Sequence, residues 1–189
     1  SAAACTAVVC ALALCGCSAR PSGPLERSEA ARLLAQAEQR EKAGDAQGAV
    51  QALLDCIEFC PPPLKQIAAG RAGDLSLNVP DVERFVVRRC DEIADRIADG
   101  SSAKVDWDLD AIAVSGTIFE RPDLMTGLLR RLRSTGQARI YRSALLNFAA
   151  YAPRALTDLS EDDGLALVEA VRHAPEDHKR LLTRTSSEK

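Results

Sequence analysis

The sequence predicts an all-α fold built from stacked antiparallel helical hairpins, and three observations predict it. Apolar residues recur at helical spacing along most of the chain beyond residue 28, and Ala and Leu, both strong helix formers, prevail over β-branched residues. Aromatic residues make up only 4% of the 189 residues, so the core has to be aliphatic. Each apolar stretch ends at a Gly or Pro, at intervals that suit short helix-to-helix turns. With 47% hydrophobic and 27% charged residues the chain has the composition of an ordinary globular protein, long enough for one domain with a real core. A net charge of -3 argues against a dedicated nucleic-acid binder, which needs a surplus of Lys and Arg against phosphate.

From Ala2 to Cys17 there is no charge at all. The stretch is shorter than the roughly 20 residues that span a bilayer, and it ends in small residues, as the apolar region of a secretory signal peptide does. With no Met or basic segment ahead of it, the sequence predicts that residues preceding Ser1 are missing. Leu14-Cys15-Gly16-Cys17 resembles the lipobox of bacterial lipoproteins: an aliphatic residue, a tolerant position, a small residue, then the acceptor cysteine. The resemblance implies that residues 1–16 are removed and that the Cys17 thiol carries a diacylglyceryl group, with a further acyl chain on the new amino end. Two or more chains make anchoring stable where one is marginal. Ser18, where an Asp would retain the protein in the inner membrane, implies the periplasmic side of the outer membrane. Residues 17–27, rich in Pro, Ser and Gly, then read as a lipidated flexible tether.

The helical domain is expected over 28–184. Ser28 offers a cap for a first helix that runs to about Ala43 with Leu33, Leu34 and Ala37 on one side. Gly44-Asp45 ends it. A second helix carries Ala49, Val50, Leu53, Cys56, Ile57 and Cys60 in one stripe, and Pro61-Pro62-Pro63 stops it. This unit resembles a single tetratricopeptide repeat: Ala37 and Ala49 stand at the small close-contact positions, Gly44-Asp45 at the turn, Cys56-Ile57 at the small-plus-aliphatic pair and Pro61 at the closing proline. Gln36 and Arg40 depart from that pattern, and no second good copy follows. The resemblance implies an α-solenoid-like stack with grooves for other proteins.

Residues 61–79 suggest a short helix from Leu64 to Arg71, broken by Gly70 and Gly73. Asn78 and Pro80 open a strong helix from Asp81 to Ala98, with Val82, Phe85, Val86, Cys90, Ile93 and Ile97 on one face. From Asp106 to Glu120 the pattern fits both periods. A lone strand would lack a partner, so the segment is expected to be a helix capped by Asp106, apolar on several sides and therefore central. Pro122 opens the next helix, to about Arg133, with Leu124, Leu128 and Leu132 inward. After Gly136 another carries Tyr141, Ala144, Leu145, Phe148 and Ala152. Ser160 caps a further one, Pro175 begins a short terminal helix through Leu182, and residues 185–189 form a polar tail.

Few residues suggest chemistry. Cys56, Cys60 and Cys90 are an odd set, with Cys60–Cys90 the best candidate disulfide and three free buried thiols the alternative. His173 and His178 straddle Pro175 and do not share a helical face, so no metal and no cofactor is expected. The sequence has no GxSxG, no phosphate-binding loop and no dinucleotide fingerprint. The acid pairs Asp106/Asp108 and Asp162/Asp163 sit where helix caps belong. Arg130, Arg131, Arg133, Arg139 and Arg142 form the strongest charge feature, either a patch for an anionic partner or a solvated face balanced by nearby acids. The expected function is therefore a lipid-anchored, non-catalytic scaffold that holds a protein of the cell envelope. The competing classes are an envelope hydrolase that uses a carboxylate pair, for instance on peptidoglycan, and a carrier of an apolar ligand.

Overall fold

The computed structural model describes residues 21, 23–151, 156 and 159–174, and these form eight helices with no strand among them. In chain order they are α1 (Arg27–Lys42), α2 (Ala46–Phe59), α3 (Pro62–Ser76), α4 (Val82–Ala98), α5 (Val105–Ile118), α6 (Pro122–Ser134), α7 (Ala138–Tyr151) and α8 (Glu161–Arg172). Every helix packs on the next one along the chain. Most also pack on the one after that: α1 on α3, α2 on α4, α3 on α5, α4 on α6 and α5 on α7. That pattern is a stack of hairpins, and the fold is all-α and helical-repeat-like. No described helix is long and apolar enough to cross a membrane.

The α1–α2 hairpin closes where its side chains are small. Ala37 and Ala49 are fully buried between the two helices, and Gly44 takes a left-handed φ of 78° at the end of α1. Asp45 caps α2 by accepting from the Gly48 N–H at 2.9 Å. Four local expectations are corrected. Helix α1 starts one residue before Ser28, with Glu26 at the cap position and no side-chain bond. Leu25 is partly buried and donates its N–H to the Phe59 carbonyl at 2.9 Å, so the end of the expected tether is docked on the helical body. The glycines at 70 and 73 do not break α3, because the absent Cβ of Gly73 leaves room for Ile118, whose Cγ2 would lie 3.1 Å from it. Asp106 does not cap α5, which begins at Val105 after Lys104.

Helix α5 does lie at the centre. Leu109, Ala111, Ile112, Ala113 and Val114 are all buried, and the helix packs against α2, α3, α4, α6 and α7. Its apolar residues follow no single stripe because neighbours cover it on several sides. Gly116 lets α6 approach closely: a Cβ there would sit 2.9 Å from Met125 Cε and 3.1 Å from the Arg121 carbonyl. On α4 the expected face is buried except for Phe85, which is 42% exposed and lines a shallow groove with Val50 and Leu54 of α2.

Candidate functional site

Among the described residues a large assembly of polar side chains lies inside the stack, where α2, α4 and the start of α5 meet. Asp55 and Glu58 are three apart on α2, hence on one side of it, and Arg89 and Arg96 are two turns apart on α4. Packing α2 on α4 sets the two pairs face to face. Arg89 Nη1 donates to Glu58 Oε2 at 2.8 Å and to Asp55 Oδ1 at 3.2 Å. Arg96 Nη2 donates to Glu58 Oε1 at 2.7 Å, and Lys104 Nζ stands 3.5 Å from the same oxygen. Lys104 also donates to Asp108, whose second oxygen accepts from Ser102 Oγ at 2.7 Å. The Lys104 ammonium lies 4.8 Å from the centre of the Phe59 ring. Glu58 is only 2% exposed.

A second cation is buried behind this network. Lys65 of α3 is fully shielded from solvent and donates to the Trp107 carbonyl at 3.0 Å and the Glu58 carbonyl at 3.4 Å. Burial lowers its pKa to about 8, partly countered by the charge of Asp110. Asp110 is itself pushed upward by burial, against the hydrogen bond it accepts from Asn147 Nδ2 at 2.6 Å.

Glu58 and Asp108 both line a cleft of about 400 Å³ that also holds Arg96, Ser102 and Lys104. A paired-carboxylate hydrolase needs two such acids at a groove, one of them kept protonated by apolar surroundings. Here both carboxylates have their oxygens engaged by cations or a hydroxyl of the chain. The arrangement is one that ties helices together. Removing one partner of such a buried set costs about 3–5 kcal/mol.

No protein-family model, no curated protein and no solved structure matches the chain.

The arginine patch divides in two. Arg131 of α6 pairs with Asp95 and, at 3.4 Å, with Asp91 of α4. Arg133 pairs with Asp163 of α8 and lies over the Tyr141 ring, 5.8 Å from its centre. Arg130, Arg139 and Arg142 are exposed around the α6–α7 hairpin, with no carboxylate of the described residues in ion-pair range.

The acid pairs split as well. Asp108 is buried in the network and Asp106 is exposed, whereas Asp163 bridges Arg133, Tyr141 and the Ser160 that caps α8. The expected Cys60–Cys90 disulfide is not formed, and all three described cysteines are free thiols. Cys60 ends α2 and faces α1, its Sγ 3.9 Å from the Ala30 carbonyl, and the hydrogen bond from Cys56 holds its thiol below the usual range. That same bond and burial push Cys56 upward, and burial in the apolar face of α4 raises Cys90 to about 11. His173 is exposed just past α8, and no metal-binding group of His, Cys, Asp and Glu exists among the described residues. Cys17, Cys15, His178 and the expected terminal helix from Pro175 lie outside the described residues.

The buried network went unseen in the sequence because Asp55 and Glu58 fit the polar side of an amphipathic helix. One signal was present. Arg89 and Arg96 fall beside Val86, Ile93 and Ile97 on the apolar side of α4, where an unpaired charge would be costly.

Proposed function

We propose that the chain is a lipid-anchored protein of the bacterial envelope, acylated at Cys17, whose helical stack is a non-catalytic scaffold for an envelope protein with an acidic surface. The observation that carries the scaffold role is the division of charge. The acids gathered at the cleft are engaged by the chain's own cations, while Arg130, Arg139 and Arg142 face solvent on one hairpin. Guanidinium groups present planar donors that match carboxylates, so an acidic protein surface is the partner they fit. The anchor is supported by the Leu14-Cys15-Gly16-Cys17 pattern, and through it the outer-membrane address by Ser18.

The test is capture of the tagged lipoprotein from crosslinked envelopes, beside a variant carrying Arg130→Glu, Arg139→Glu and Arg142→Glu. One abundant envelope partner that the variant no longer holds is the expected outcome; equal capture by both would remove the arginines from the site. Intact mass of the native product checks the anchor, and an unmodified amino end or a cytosolic fraction would overturn it. Glu58 and Asp108 at one cleft are the single feature that favours the hydrolase alternative. Cleavage of peptidoglycan by the wild type, lost in Asp108→Asn, would establish that activity in place of the scaffold.

A further inference from the structure

The helices of the stack alternate in direction, so the turns from α1 to α7 fall on two edges. Leu25, just ahead of α1, meets the end of α2 through the 2.9 Å bond from its N–H to the Phe59 carbonyl. Lys65, near the start of α3, donates to the carbonyls of Glu58 and of Trp107, the latter near the start of α5. Gln137, between α6 and α7, donates from Nε2 to the Ala98 carbonyl at the end of α4 at 3.2 Å. One edge therefore holds the α2–α3, α4–α5 and α6–α7 turns together with the start of α1. The opposite edge holds the α1–α2, α3–α4 and α5–α6 turns, joined where Arg121 pairs with Glu83 at 3.0 Å and where Phe85 shares a groove with Asp45.

The tether arrives on the first edge and is held there. Pro21, Gly23 and Pro24 line the same cleft as Phe59, Ser102 and Lys104, and Pro21 also borders a groove with Leu33 of α1. The free run of the tether is thus shorter than its composition implies. Cys17 precedes Pro21 by four positions, and four residues reach at most about 14 Å when fully extended. Helix α5 alone, at 14 residues, spans about 21 Å from edge to edge. A tether shorter than the body cannot turn it over to set the opposite edge on the membrane.

We infer that the edge carrying the α2–α3, α4–α5 and α6–α7 turns is a membrane-facing surface, held against phospholipid headgroups by the docking of Pro21 and Leu25. The inference rests on acylation at Cys17. Exposed charges of both signs stand on this edge, Arg27 and Arg139 with Glu26, Asp99 and Asp106, and a zwitterionic headgroup offers a phosphate and an ammonium to match them. Arg130, Arg139 and Arg142 flank the α6–α7 turn on the same edge. The acidic surface they hold therefore lies at the bilayer, on a partner that is itself membrane-bound.

Trp107, the single tryptophan of the chain, is half-buried at the membrane-facing edge, and Phe119 lies just past the far end of the same helix, about 18 Å further from the bilayer. The acylated protein is reconstituted into phosphatidylethanolamine–phosphatidylglycerol vesicles, recovered by flotation and titrated with lipid that carries a headgroup nitroxide, a quencher of nearby indoles. Wild-type emission is expected to lose most of its intensity, and that of Trp107→Phe/Phe119→Trp little, with circular dichroism confirming equal helix content. A Gly/Ser insertion of about 20 residues between Ser18 and Ala19 adds a reach of about 25 Å, and it should relieve the quenching of Trp107 while flotation persists. A wild type that floats unquenched, equal quenching at both positions, or quenching untouched by the insertion would overturn the orientation and leave the anchor standing. Protein that carries no acyl mass and stays off the vesicles would overturn both.

Discussion

Two clusters in this molecule pair arginines with carboxylates, and they differ in how much water reaches them. At the α2–α4–α5 junction Arg89 meets Glu58 and Asp55 with all three side chains nearly out of solvent. On the outer side of α4, Arg131 meets Asp91 and Asp95 in the open. The chemistry of the two pairings is the same. In the first, each group has given up its hydration and depends on its partners; in the second, water stands ready to replace whatever is lost. Pairing alone does not rank an ion pair; burial does.

The largest effect is expected at Glu58. Glu58→Ala leaves Arg89, Arg96 and Lys104 around a missing anion, and the expected loss is about 3–5 kcal/mol. At roughly 2–4 °C per kcal/mol for a chain of this length, the melting temperature should fall by about 10 °C, read by calorimetry. A loss no larger than that of a surface variant would show that water reaches the cluster.

The burial of Lys65 makes stability depend on pH. Its folded pKa of about 8 lies below the ordinary 10.5, so between these values the unfolded chain binds more protons than the folded one. Stability contributed by this group therefore rises with pH from about 8 to 10.5, by about 3 kcal/mol in full. Denaturant titrations across that window should show the rise in the wild type and its absence in Lys65→Met. At neutral pH the same substitution, which removes a desolvated charge while keeping most of the volume, should be neutral or stabilising by about 1 kcal/mol.

Arg131→Ala is the smallest expected effect, about 0.5 kcal/mol or less, and it should vanish in high salt. A large, salt-resistant loss at Arg131 would erase the distinction between the two clusters.

Much of the fold was legible. The Leu124/Leu128/Leu132 stripe of α6 and the Val82 to Ile97 face of α4 repeat at helical spacing, and helical spacing is a property of neighbours along the chain. The central place of α5 was legible too, from its having no single apolar side. Helix α3 was less so. Gly70 and Gly73 weaken a helix taken alone, and what sustains this one is packing against α2, α4 and α5 that no local window contains. At the candidate site, Asp108 looked like a helix-start acid and Glu58 like a solvated one, and both are buried.

Local order along the chain, read without any neighbour in space, was enough for most of the helices and for turns such as the one at Gly44-Asp45, because periodicity, caps and prolines act within a few residues of one another. Which charges lie inside was settled by the packing of one helix on another. Arg89 and Arg96 find Asp55 and Glu58 across 31 to 38 residues of chain, and a charged side chain carries no local mark of whether its partner will be water or another side chain. Electrostatic worth is set by the dielectric around a group, and that surrounding comes into being only when the helices have stacked.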